Sequence, residues 1–93
     1  MDDKVLNTFN TVAEEGSFTR AAERLYVSHT VVIKQINLLE ARLDVKLFDR
    51  RRRGVTLTTA GQVLYAEAMR LMKESEQAVE RVRAAQRAGE RAS

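Results

Sequence analysis

The chain has no cysteine, no proline and no tryptophan, and a single histidine among its 93 residues. Without cysteine there are no disulfides, no thiolate metal sites and no cysteine nucleophile. A lone histidine, His29, with no recurrent Asp/His spacing around it, does not make a metal site. Nor can it build a catalytic triad, because the acids sit in charged faces and Ser17 and Ser28 sit at helix caps. No apolar run approaches the roughly 18 residues that span a bilayer, and no signal-peptide core opens the chain. These absences point to a cytoplasmic protein with no cofactor and no membrane partner. The length suits one domain with one modest core and leaves few residues for an enzyme cleft.

What is present is charge, unevenly spread. The net charge is +3, which alone says little. Residues 1–16 sum to −3, residues 17–57 to +5 and residues 58–93 to +1. Positive charge is thus concentrated in the middle segment, where a polyanion would dock.

Apolar spacing sets out the elements. Val5, Leu6, Phe9, Val12 and Ala13 predict an amphipathic helix over residues 3–15, capped by Asp2 or Asp3 and stopped by Gly16. Ser17 then caps a short helix that turns Phe18, Ala21, Ala22 and Leu25 inward, with the two small residues letting another helix cross close by. After Tyr26-Val27, Ser28 caps a third helix running to Leu43 with the stripe Val32, Ile36, Leu39 and Leu43, and Asp44 follows at its end. Residues 45–50 and 55–57 are β-prone pieces separated by Arg51-Arg52-Arg53-Gly54, a hairpin signal. Thr58 or Thr59 caps a last helix, free of proline to about Arg87, and residues 89–93 read as a frayed tail.

Helix, short turn, helix is the arrangement that lays a second helix in the major groove while the first braces it. At 100° per residue, the stripe of the third helix clusters within about 60°, and Thr30, Ile33, Lys34 and Asn37 fall on the opposite side. Lysine can donate to guanine acceptors, asparagine can pair with adenine, and threonine or isoleucine methyls can touch thymine. The alternative is an ordinary solvated helix face. His29, in the first turn, is equally open to base or phosphate contact and to plain solvent exposure. Arg50 to Arg53 make the densest charge in the chain, and arginine suits phosphate and narrow minor grooves. Arg50 is the exception in this run, because it could pair with an acid of the domain's own surface.

In the last helix Leu64, Ala68, Leu71, Ser75, Ala78, Val82 and Ala85 are spaced 4, 3, 4, 3, 4, 3. This is a packing seam, either folded back on the domain's own core or paired with a second helix. A coiled-coil adaptor is a competing reading, but it does not explain why charge peaks at the wing rather than along the helix.

Glu14-Glu15-Gly16-Ser17-Phe18-Thr19-Arg20-Ala21-Ala22-Glu23-Arg24-Leu25, then Val27-Ser28, Gln35-Ile36 and Leu39-Glu40, resemble the amino-terminal domain of the LysR-type transcriptional regulators. So do Lys46-Leu47-Phe48-Asp49-Arg50, Arg53-Gly54-Val55-Thr56-Leu57-Thr58 and Ala60-Gly61. The resemblance covers essentially the whole chain. It implies a mostly α winged helix-turn-helix over residues 1–57, three helices plus a two-stranded wing, and a dimerising linker helix over 58–88. It implies double-stranded DNA as the partner, bound sequence-specifically by a homodimer on an imperfect inverted repeat, in bacterial transcription control. Base readout would fall to His29, Thr30, Ile33, Lys34 and Asn37. Backbone and wing contacts would fall to Ser17, Thr19, Ser28, Gln35, Arg51, Arg52 and Arg53, and dimerisation to Leu64, Ala68, Leu71, Ser75, Ala78 and Val82. Family members often carry Gln-Pro where this chain has His29-Thr30, a Ser-Arg pair where it has Ile33-Lys34, and glycine where it has Asp44. The resemblance therefore carries DNA binding and leaves the target sequence open. An effector-binding domain, usual in the family, is not in these 93 residues; an inducer and a tetramer belong only to a full-length protein that has one.

Overall fold

A computed structural model describes residues 3–51 and 53–92. Its order is α1 (Asp3–Glu15), α2 (Phe18–Leu25), α3 (His29–Leu43), β1 (Phe48–Asp49), β2 (Thr56–Leu57) and α4 (Thr59–Ala92). The first three helices pack on one another, the two strands form an antiparallel wing with Phe48 opposite Leu57 and Asp49 opposite Thr56, and α4 leads away. This is the winged helix-turn-helix with a long carboxy-terminal helix that the spacing and the resemblance imply.

Local chemistry places the helix ends. Gly16 takes φ +64, the left-handed conformation that ends α1. Ser17 Oγ accepts from Arg20 N at 3.2 Å and caps α2; Ser28 Oγ accepts from Val31 N at 3.2 Å and caps α3. Tyr26 and Asp44 close these helices at φ 57 and 53. Thr58 Oγ1 accepts from Gly61 N at 3.0 Å, so of the two candidate caps for α4 it is Thr58 that acts. Of the candidates for α1, Asp2 lies outside the described residues.

Phe9, Val12, Val32, Ile36 and Leu47 are the largest fully buried side chains. Burying each contributes roughly 1.5–3 kcal/mol. Ala21 and Ala22 are buried where α2 meets its neighbours. Thr8 and Thr11 are buried in α1; the Thr11 hydroxyl donates to the carbonyl four residues back, and the Thr8 hydroxyl donates across to Gln35 of α3.

Two expectations need correcting. Leu43, given to the core stripe, is exposed, because the chain turns back at Asp44 and Leu47 and Phe48 fill the core instead. The strands are two residues each rather than residues 45–50 and 55–57. Val45 N closes α3 on Glu40 O at 3.2 Å, and Leu47 N and Phe48 N donate to the Glu40 carboxylate at 2.7 and 3.4 Å. With the Val45 and Leu47 donors spent on a helix cap and a carboxylate, the ladder begins only at Phe48.

The 34 residues of α4 form a helix of roughly 51 Å, most of the molecule's 61 Å long axis. The helix continues to Ala92, so the tail expected to fray from residue 89 is helical that far. Leu64 and Tyr65 pack on the core and Ala68 is fully buried, but every residue from Met69 to Arg91 is exposed. Arg70 pairs with Glu67 and Glu74 and Arg87 with Glu80 along this stretch. Pairs as exposed as these contribute little, because solvent screens them.

Candidate nucleic-acid interface

Burying Val32, Ile36 and Leu39 turns the other side of α3 outward beside the wing. His29, Thr30, Lys34 and Asn37 are exposed there, while Ile33 is half-buried. Ser17, Thr19, His29 and Arg50 line one shallow depression with Phe18, Gly54 and Val55, where the starts of α2 and α3 meet the wing. His29 stands edge-on to Phe18, with ring centroids 6.4 Å apart. Both cap serines accept from the backbone, so each hydroxyl hydrogen is left to donate. The depression therefore collects hydroxyls, an imidazole and a guanidinium, groups that suit a phosphate.

Arg50 departs from the rest of the basic run. Its guanidinium lies 4.9 Å above the Phe18 ring, and Nη2 donates to Glu40 Oε1 at 2.9 Å and to Asn37 Oδ1 at 3.0 Å. It thus pairs with an acid of the domain itself. Glu40, only 4% exposed, ties α3 to the wing through Arg50, Leu47 and Phe48. Sequence reading noted Glu40 only within the resemblance and gave it no role. The available signal was an acid flanking the core stripe ten residues before an arginine of the wing.

The remaining wing arginines are not equivalent. Arg51 folds back on Asp49 through its backbone N–H, Nε and Nη2 at 3.0, 3.0 and 2.8 Å. The side-chain hydrogen bonds first, and the charge of Asp49 second, raise the Arg51 pKa above its ordinary value. Arg52 lies outside the described residues. Arg53 is exposed at the hairpin tip. Gln35 is half-buried, and its Oε1 accepts from Thr8 Oγ1 at 2.6 Å, which turns the acceptor end of its carboxamide toward α1.

The six candidate dimerisation residues separate into two groups. Leu64 and Ala68 seat α4 on the chain's own domain, so Ala68 cannot serve a partner. Leu71, Ser75, Ala78 and Val82 are exposed, with Met72 and Val79 among the exposed apolar residues nearby. Among the described residues no cluster of three or more His, Cys, Asp or Glu could hold a metal, and no helix is long and apolar enough to cross a membrane.

Residues 4–62 match the family model described as the bacterial regulatory helix-turn-helix protein, lysR family. The transcriptional regulator ClcR of Pseudomonas putida is 44% identical over 87 residues, which are 94% of this chain and 30% of that protein. The chain spans half or less of the length of the first curated relatives it matches. A crystal structure of the CbnR DBD–DNA complex superposes with a TM-score of 0.84 at 39% identity, over 91% of this chain and 98% of that one. The BenM DBD complex with benA site 1 DNA superposes with a TM-score of 0.85 at 33% identity, over 90% and 98%. Sequence and fold together place this chain in the LysR family of bacterial helix-turn-helix transcriptional regulators.

Proposed function

We propose that the chain binds specific double-stranded DNA as a homodimer, with α3 in the major groove and the wing on the phosphate backbone. The observation that carries this reading is the outward side of α3, where His29, Thr30, Lys34 and Asn37 stand exposed and His29 shares a depression with Arg50 and Gly54 of the wing. Base readout falls to those four residues with Ile33 at their edge. Backbone contact falls to Ser17, Thr19, Ser28, the outward amide of Gln35, Arg53, Arg52, and Arg51 once it leaves Asp49. Residues 1–57 are the DNA-binding unit and 58–88 the pairing helix, with Leu71, Ser75, Ala78 and Val82 at the contact. The position of relatives as transcriptional regulators supports a regulatory role in the cytoplasm, on an imperfect inverted repeat that mirrors the dimer.

Titrating labelled duplex with the chain at several salt concentrations, followed by anisotropy, tests the reading. Binding that weakens steeply with salt and prefers some sequences is the expected result. A chain that binds no duplex would instead be a coiled-coil adaptor. Sedimentation equilibrium reads the dimer directly.

A further inference from the structure

Asn37 and Arg50 are joined where α3 meets the wing, and Arg50 is the more firmly held of the two. Arg50 is held from several sides, by the Phe18 ring beneath it and by the buried Glu40 carboxylate, which also accepts from Leu47 N and Phe48 N. Asn37 is exposed on the outward side of α3, and its Oδ1 accepts from Arg50 Nη2 at 3.0 Å. Turning that oxygen outward would break a charge-assisted hydrogen bond. A carboxamide carries its acceptor and its two donors on separate arms of one rigid plane, so fixing one arm fixes the other. With Oδ1 committed to Arg50, the hydrogen-bonding arm of Asn37 left without a partner of this kind is Nδ2. Pairing with adenine needs both ends together, the oxygen accepting from N6 and the nitrogen donating to N7. Guanine, whose N7 and O6 both accept, needs donors alone.

We propose that Arg50 orients Asn37 as a donor-only reader, so that the base pair beneath Asn37 is selected as guanine and adenine is discriminated against. This rests on the reading that α3 lies in the major groove; it adds the polarity of one contact and the positioning residue that sets it. Polarity set by the neighbour, rather than by the residue type, is what separates Asn37 from an unconstrained asparagine.

Binding-site selection from randomised duplexes tests it, using the whole chain as wild type, Asn37→Ala and Asn37→Asp. Both variants change an exposed side chain outside the core. Asn37→Asp keeps an oxygen for Arg50 and loses the donors, whereas Asn37→Ala loses both. The wild type should enrich guanine at one position of each half-site. Asn37→Ala should lower that preference about tenfold and leave the other positions alone. Asn37→Asp should exchange guanine for cytosine, whose N4 amino group donates to a carboxylate. Adenine enriched by the wild type at the position that Asn37→Ala flattens would overturn the proposal, as would identical selections by wild type and Asn37→Ala. A wild type that selects no sequence at any position overturns the placement of α3 itself, and is thereby distinguished from failure of the Asn37 assignment alone.

Discussion

The backbone of Gly54 passes so close to that of Gly16 that a Cβ on Gly54 would stand 2.7 Å from the Gly16 carbonyl oxygen. That same oxygen accepts from Val55 N at 3.0 Å. The turn that ends α1 and the turn that ends the hairpin tip are thus one joint, and it holds the wing against the helix-turn-helix.

Gly54→Ala should therefore loosen the wing. Gly54 sits at φ +75, where any side chain is strained, and the clash is with backbone that cannot swing aside. The left-handed conformation alone costs about 1–2 kcal/mol. A fall in melting temperature of roughly 5–15 °C is expected in a thermal scan by circular dichroism. An unchanged transition would show that the two turns do not bear on each other.

Glu40→Ala should be among the most damaging single changes outside the apolar core. It would leave the N–H of Leu47 and of Phe48 and the Arg50 guanidinium without their shared acceptor. Buried donors stranded in this way cost roughly 2–4 kcal/mol together, allowing for the partial exposure of Arg50. Urea denaturation measures this. Glu40→Gln keeps one acceptor and should lose less than half as much. A loss below about 0.5 kcal/mol for Glu40→Ala would mean that water replaces the carboxylate.

How much of this could be read from the residues alone depends on how far apart the partners lie. The caps Ser17 and Ser28, and Thr58 as one of two candidates, were legible because a cap bonds an amide three residues on. The buried stripe Val32, Ile36 and Leu39 was legible because its period is local. Leu43 continues that period and is exposed, since the period does not say where the chain turns back. Glu40 escaped because its partners stand seven to ten residues downstream in another element. Ala68 was misplaced for a related reason: 4–3 spacing marks a buried face without saying whose surface buries it. In the interface itself, the exposure of Thr30, Lys34 and Asn37 followed from the helical wheel, which set the half-buried Ile33 on the same face. The grip of Asp49 on Arg51 and of Arg50 on Asn37 did not.

Lys34→Ala should relax base preference while leaving the fold intact, because the residue is exposed on the side of α3 away from the core. A lost direct base contact costs roughly 1–3 kcal/mol on the preferred duplex. Competition between specific and random duplexes reads the difference. Equal weakening of both would reassign Lys34 to a phosphate.

Replacing Arg51, Arg52 and Arg53 together by alanine should weaken binding to every duplex by a similar factor and flatten its salt dependence. Each neutralised phosphate adds about 0.9 to the slope of log K against log salt. Two or three contacts per wing, doubled in a dimer, amount to roughly 4–6 units of neutralisation. Asp49 competes with phosphate for Arg51, so the lower figure is expected, and Asp49→Ala in the wild-type background should steepen the slope. A triple mutant that folds normally and keeps its slope would leave α3 carrying the affinity alone.

Gly61 lies against the carbonyl of Leu47, so close that a Cβ there would overlap its oxygen. From Gly61 to Ala92 the helix extends about 46 Å, and every residue from Met69 to Arg91 is exposed. It is a lever arm with its pivot at the wing. A tilt of about 5° at Gly61 would carry the far end through roughly 4 Å, close to the rise of three helical residues. Any side chain at 61 would have to open that joint, so the absence of a single methyl group sets the direction in which the arm points.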